Sequence, residues 1–280
     1  VRRNVKTRVI GVVLGLSALA GVVGGVACGG NDSNDRESIE EAIRTFEKAW
    51  DDQDYDAFAA VHTDQGIRAQ LADAESDLGT EEGRREAFSN FAEDDRAVVS
   101  KIGEVEVDVD AATASVETYF ESREEPGPSA IVLGATVAFA KDGDDWKIDG
   151  VDFRSPEVPD GVQLIKAQAN EFAFGLQDEP ESGHVAFEIE NVGEQPHHVV
   201  VEKIPEDLDI EAALQSEEEP EGLVYIGGTP PWDSGETTTI VFTEDLPAGR
   251  YVLLCFMPDT SSADGAPHAM KGMYTEFRVS

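Results

Sequence analysis

Positive charge is scarce in this 280-residue chain. It holds 21 lysines and arginines against 58 aspartates and glutamates, a formal net charge of −37. Such a surface repels phosphate backbones and anionic lipid headgroups, which argues against nucleic-acid binding and leads us to expect a basic macromolecular partner. The same acid excess also serves simply to keep a protein solvated. Cysteine is scarcer still, with two in the whole chain, Cys28 and Cys255. No repeat of roughly 20–50 residues is evident, which excludes solenoids and propellers. Hydrophobic residues nevertheless make up 40% of the chain. That is enough for a globular protein, and the length allows two domains with separate cores.

The few basic residues are unevenly placed. Arg2, Arg3, Lys6 and Arg8 precede an uninterrupted apolar and small-residue run from Val9 to Ala27, which ends at Cys28. This resembles a bacterial lipoprotein signal, and the resemblance implies export, cleavage and lipid on the Cys28 sulfur, anchoring the chain to the outer face of the membrane. The run is also just long enough to span a bilayer uncleaved. Residues 1–28 are therefore read as the signal segment and 29–36 as a polar tether. With Cys28 lipidated, Cys255 has no partner in the chain. In an oxidising compartment it is then a free thiol, an intermolecular disulfide or a metal ligand.

From residue 37 to 155 the pattern begins helical and turns extended. Ser38 and Glu41 have capping-box spacing, and Ile39, Ala42, Ile43, Phe46 and Trp50 follow a 3.6-residue period. Asp51–Asp54 breaks that helix. A second carries Tyr55, Phe58 and Val61, and a third, opened by Thr80, sets Phe88 and Phe91 on one face. Strict alternation then begins at Glu104-Val105-Glu106-Val107-Asp108-Val109. It continues through 114–121, 131–141 and 146–153, with Asp142-Gly143 as a hairpin turn. Helices followed by hairpin-linked strands predict an α+β domain. The segments E-A-I-R-T-F-E-K-A-W-D-D-Q-D-Y-D-A-F and D-D-W-K-I-D-G-V-D-F resemble the NTF2-like (SnoaL-like) family, which implies a sheet curved around helices into a cone with a small apolar ligand inside. Tyr55, His62 and Asp64 are the one acid–base cluster a reaction there could use. His62 reads better as a surface histidine at a helix end, so no catalytic residue is assigned.

Residues 156–161 form a Pro/Asp/Gly linker. Beyond it, 162–280 reads as strands at 163–169, 184–191, 198–204, 238–242, 250–256 and 274–279, with one helical stretch at 209–215, and these predict a β-sandwich. The segments A-N-E-F-A-F and G-H-V-A-F-E-I-E-N-V-G-E-Q-P-H-H-V-V-V-E-K-I-P, with the Cys–His–Met tail, resemble the cupredoxin (plastocyanin-like) family. That resemblance implies an all-β Greek-key sandwich holding one copper ion through His197, Cys255, His268 and Met273, and exchanging electrons with a partner protein. Two imidazoles, a thiolate and a distant thioether suit both copper oxidation states. His198 is sent to the opposite strand face from His197, Met270 is a spare thioether, and His184 is read as surface. The loop 256–267, with Asp259, Ser261, Ser262, Asp264 and Gly265, is expected to be a loose excursion. A metal-free reading stays open, with Cys255 a small buried hydrophobe and Met273 a core filler.

The anchor is directly testable. Cys28→Ser is expected to release the protein from the membrane fraction; an unmodified Cys28 thiol, with residues 1–27 still attached in the mass spectrum, refutes lipidation.

Overall fold

The helices near the start of the chain form where side chains can meet the free N–H groups of a first turn. The computed structural model describes residues 32–72, 76–123, 127–216 and 220–280; Cys28 lies outside them. Helix α1 spans Asp32–Asp51, α2 Tyr55–Ala60, α3 Asp64–Gln70 and α4 Glu81–Asp94. Asp54, Thr63 and Thr80 cap the last three, each accepting a hydrogen bond from a first-turn N–H. Helix α1 begins six residues before the capping box at Ser38, so 32–36 is helix rather than tether. Asp35 anchors that extension by accepting from Trp146 Nε1 at 3.0 Å and Lys141 Nζ at 3.4 Å.

Described residues fall into two units, 32–123 with 134–154 and 127–133 with 155–280. The strands β1 (Asp95–Val107), β2 (Ala111–Ser122), β3 (Ile131–Asp142) and β4 (Asp145–Arg154) lie in that order in the sheet, all in the N-terminal unit except the first three residues of β3. Asp142 pairs with Asp145 across the expected turn, where Gly143 has φ +67°. Glu104, Glu106 and Asp108 face solvent, while Val105 and Val107 pack on the core, as alternation requires. Ile39, Ala42 and Ile43 of α1 cover the sheet against Val116, Val137, Trp146 and Ile148. A second cluster joins Trp50, Tyr55, Phe58, Leu71 and Phe88 among the helices. His62 is buried, contrary to the surface expectation. It pairs with Ile148 in a β-bridge, which carries its ring to 4.1 Å from Phe58.

The C-terminal unit is a β-sheet domain. One sheet runs β10 (Thr237–Phe242), β7 (Val185–Asn191), β5 (Gln163–Asn170), β6 (Ala173–Leu176), with β5 and β7 parallel and the other pairs antiparallel. The other is antiparallel throughout: β12 (Tyr274–Val279), β11 (Gly249–Leu254), β8 (Val200–Ile204), β9 (Val224–Gly228). Phe187 on β7 meets Phe277 on β12 at 5.1 Å, and Tyr251 stacks on Phe277 at 5.2 Å, so both sheets turn apolar faces inward. Helix α5 (Ile210–Gln215) is capped by Asp209. Strands β6 and β9 were not anticipated; β6 follows a turn whose left-handed residue is Phe172, at φ +66°, with no glycine to announce it. Among the described residues no helix is long and apolar enough to cross a membrane.

The buried His62 makes a pH test. Burial depresses it from 6.5 to about 4, although Nδ1 lies 2.7 Å from the Phe58 carbonyl. The unfolded chain therefore binds more protons between these two values. Stability from this residue is complete above pH 6.5 and is lost as pH falls toward 4, by on the order of 3 kcal/mol. His62→Asn keeps a donor for Phe58 and is expected to flatten that part of the curve in urea unfolding followed from pH 7 to 4.

Candidate metal centre

Three short segments converge at one end of the C-terminal unit, and each is held by its backbone. The first is the turn after β7. Buried Asn191 shapes it, donating to the carbonyls of Gln195 at 2.9 Å and Trp232 at 3.3 Å and accepting from Gly193 N–H at 2.9 Å. A Cβ at Gly193 would lie 2.6 Å from a carboxylate oxygen of Glu171, so a larger residue here would have to push that carboxylate aside. Glu171 in turn accepts the N–H groups of Glu194 and Gln195. His197 follows, its N–H donating to the Trp232 carbonyl at 3.1 Å while its own carbonyl accepts from Trp232 N–H at 2.8 Å.

Cys255 comes immediately after β11. Its N–H donates to the Met273 carbonyl at 3.2 Å, and its carbonyl accepts from Ala269 N–H at 2.7 Å. His268 opens a 3₁₀ helix, His268–Lys271, and its carbonyl accepts from Met273 N–H at 3.0 Å. Cys255, His268 and Met273 are thereby locked to one another through the main chain. The neighbouring His198 points elsewhere, although β8 begins only at Val200: its Nε2 accepts from Phe256 N–H at 2.7 Å and braces the residue after the thiol.

The loop from 256 to 267 is not a loose excursion. His268 N–H donates to the Met257 carbonyl at 2.9 Å, Asp259 N–H to the Ala266 carbonyl at 3.0 Å, and Pro258 and Pro267 bridge between them. These contacts zip the neck of the loop and return His268 beside Cys255. Of its two acidic residues Asp259 turns inward, while Asp264 stays exposed, as do Thr260 and Ser261. Asp259 is 2% exposed and accepts from Ser261, Gln195 and Lys271.

The side chains meet in a small triangle. His197 Nδ1 lies 3.2 Å from His268 Nδ1, and Cys255 Sγ lies 3.9 Å and 3.6 Å from those nitrogens. Three donors held about 2.0–2.3 Å from a shared centre stand about 3.3–3.8 Å apart, so the triangle has the size of a single-ion site. All three residues and Met273 are 0% exposed, whereas Met270 is 45% exposed and lies on the surface. Burial pushes His197 down to about 4, helped by His268 and opposed by Glu171, and burial likewise lowers His268. It also pushes the Cys255 thiol up to about 11. At neutral pH the group is two uncharged imidazoles and a thiol, and an ion entering it must displace the thiol proton. The Nε2 atoms of both histidines are buried without a hydrogen-bond partner. The line between the two Nδ1 atoms has room for one proton, so at least one Nδ1 carries none and keeps its lone pair for the other imidazole or for an ion.

The other histidines and the N-terminal acid–base cluster form no second centre of this kind. His184 is exposed and pairs with Asp245 at 2.7 Å. Tyr55 and His62 are buried on Phe58, while Asp64 faces solvent 3.8 Å from Arg68, so the three do not share one site. The N-terminal unit instead contains an apolar pocket lined by residues that include Ile43, Phe46, Val99, Val137 and Phe153, with Gln70 and Thr118 as its polar members.

No family model matches the sequence, and no curated protein matches it. Parts of the chain are similar to solved structures at low scores. A dithionite-reduced auracyanin from Roseiflexus castenholzii gives a TM-score of 0.29 and 20% identity, over 43% of this chain and 99% of that one. An NTF2-like superfamily protein from Salmonella enterica gives 0.35 and 15%, over 46% and 97%. A cystatin-like-fold protein from Nostoc punctiforme gives 0.34 and 16%, over 43% and 90%. The metal centre accordingly stands on its own residues and distances.

Proposed function

We propose that this chain is an exported protein, anchored by lipid on Cys28, whose C-terminal unit is a cupredoxin-like Greek-key sandwich that binds one copper ion and transfers electrons. The observation carrying the proposal is the closed triangle of His197 Nδ1, His268 Nδ1 and Cys255 Sγ with every member buried. Two imidazoles and one thiolate are a copper donor set, and Met273, buried and bonded through its main chain to Cys255 and His268, would add a weak thioether. Copper would supply a one-electron couple. The protein's own contribution is to hold the two Nδ1 lone pairs and the sulfur in place, with Cys255 giving up its proton on loading. His198 fixes the chain just beyond the sulfur, and the Trp232 bridge fixes His197. Ligands held this way need little movement when an electron arrives.

The N-terminal unit we propose to be an NTF2-like cone, covering 37–155, that receives a small apolar molecule. Its pocket lining supports that assignment: among the described residues it includes no acidic, basic or histidine side chain that could exchange a proton with a ligand. We assign no reaction to it. The redox partner of the copper unit is proposed to be a basic protein, complementary to the net charge of −37.

Copper addition tests the central claim. Stoichiometric Cu(II) added to the reduced protein is expected to give an intense visible thiolate charge-transfer band. Cys255→Ser should abolish that band with the fold retained, His197→Ala or His268→Ala should weaken or shift it, and Met273→Leu should mainly raise the reduction potential. A protein that stays colourless decides for a metal-free binding scaffold on the same fold.

A further inference from the structure

Outside the triangle, Asp259 is a buried charge that the triangle does not explain. Asp259 is 2% exposed in a loop otherwise rich in solvent-facing residues, and an isolated buried carboxylate is costly unless fully paired. Its partners belong to the segments that carry the three donors. Oδ1 accepts from Gln195 Nε2 at 3.1 Å, and Gln195 stands two residues before His197. Oδ2 accepts from Lys271 Nζ, three residues after His268. Asp259 itself lies four residues after Cys255. Gln195 completes the link by accepting from Thr260 N–H at 2.7 Å and Thr260 Oγ1 at 2.8 Å.

The circuit closes on the far side. Lys271 Nζ lies 5.5 Å from the centre of the Phe172 ring, and that ring meets His268 edge-on at 5.4 Å. Phe172 follows Glu171, whose carboxylate holds Gln195 N–H at 3.0 Å. From Glu171 through Gln195, Asp259 and Lys271 to Phe172, a closed set of contacts links the segments that carry the two imidazoles.

We propose that Asp259 is the positioning residue of the metal centre: its carboxylate ties the segments bearing His197, Cys255 and His268 into one frame, and its negative charge favours the more oxidised ion. The inference rests on the copper reading for its second half only. Asp259 is linked to His268 through Lys271 and Phe172, and a fixed negative charge close to an ion stabilises Cu(II) relative to Cu(I) and lowers the potential.

Three variants of the full chain separate the roles. Asp259→Asn keeps an acceptor for Gln195 and Ser261 but loses the charge; Asp259→Ala loses both; Gln195→Ala cuts the link to the His197 segment and leaves the charge. Copper release to a chelator is expected to speed up by about 10–100-fold in Asp259→Ala and Gln195→Ala, and less in Asp259→Asn. The potential should rise in both Asp259 variants and stay near its starting value in Gln195→Ala. A lower melting temperature with an unchanged band, release rate and potential would overturn the proposal, leaving Asp259 a loop staple and the copper reading intact. If the parent protein stays colourless, the copper reading falls and the positioning half is read by amide hydrogen exchange without metal. There, Asp259→Ala should speed exchange at Thr260 and His268 at least about tenfold, with Leu253 unchanged, and equal protection at those amides refutes the frame.

Discussion

Burying polar groups together is the constraint on which the C-terminal unit depends, because each imidazole, thiol or carboxylate removed from water needs a partner or becomes a debt against a marginal fold. Asn191, Gln195 and Asp259 are met by explicit donors and acceptors, and the turns they occupy have the shapes those bonds require. The two Nε2 atoms and the thiol are met differently. Their ionisation is suppressed by burial, so the centre carries no charge of its own until an ion arrives. Conformational rigidity in this region therefore comes from polar contacts outside the triangle rather than from bonds within it.

Much of this was legible in the residues, for identifiable reasons. Alternation over 104–109 sets a strand register in which a one-residue slip would exchange the faces. Thr80 at a helix start and Asp142-Gly143 at a turn are local chemistry that tertiary contacts did not override. The order of His197, Cys255, His268 and Met273, with five residues from His268 to Met273, pointed to the cluster through its resemblance to the cupredoxin pattern. What was missed depended on contacts far along the chain. The early start of α1 follows from Asp35 finding Trp146 and Lys141, and the burial of His62 from its pairing with Ile148. Strand β6 hides behind Phe172, whose left-handed backbone has no side-chain signature.

The loop after Cys255 shows how composition misleads. Asp, Ser and Gly in succession are common in mobile segments, yet the same residues make side-chain-to-backbone turns. Asp259 accepting from Ser261 N–H, two residues on, is such a turn. That bond was readable from the sequence as a local possibility. Gln195 and Lys271, which convert a local turn into a long-range tie, were not, because nothing in their spacing announces that they will be neighbours.

Charge distribution gives the molecule its other asymmetry. Most of its ion pairs are exposed, such as Arg36 with Glu40 or Arg278 with Glu206, and contribute little individually. Lys271 differs, with its side chain 25% exposed and its partner 2% exposed. It is a cation over the Phe172 ring in a strongly acidic protein, paired with the Asp259 carboxylate. An approaching basic partner would meet the general negative field at long range. Lys271, already paired with Asp259, would oppose that attraction only as one member of an ion pair.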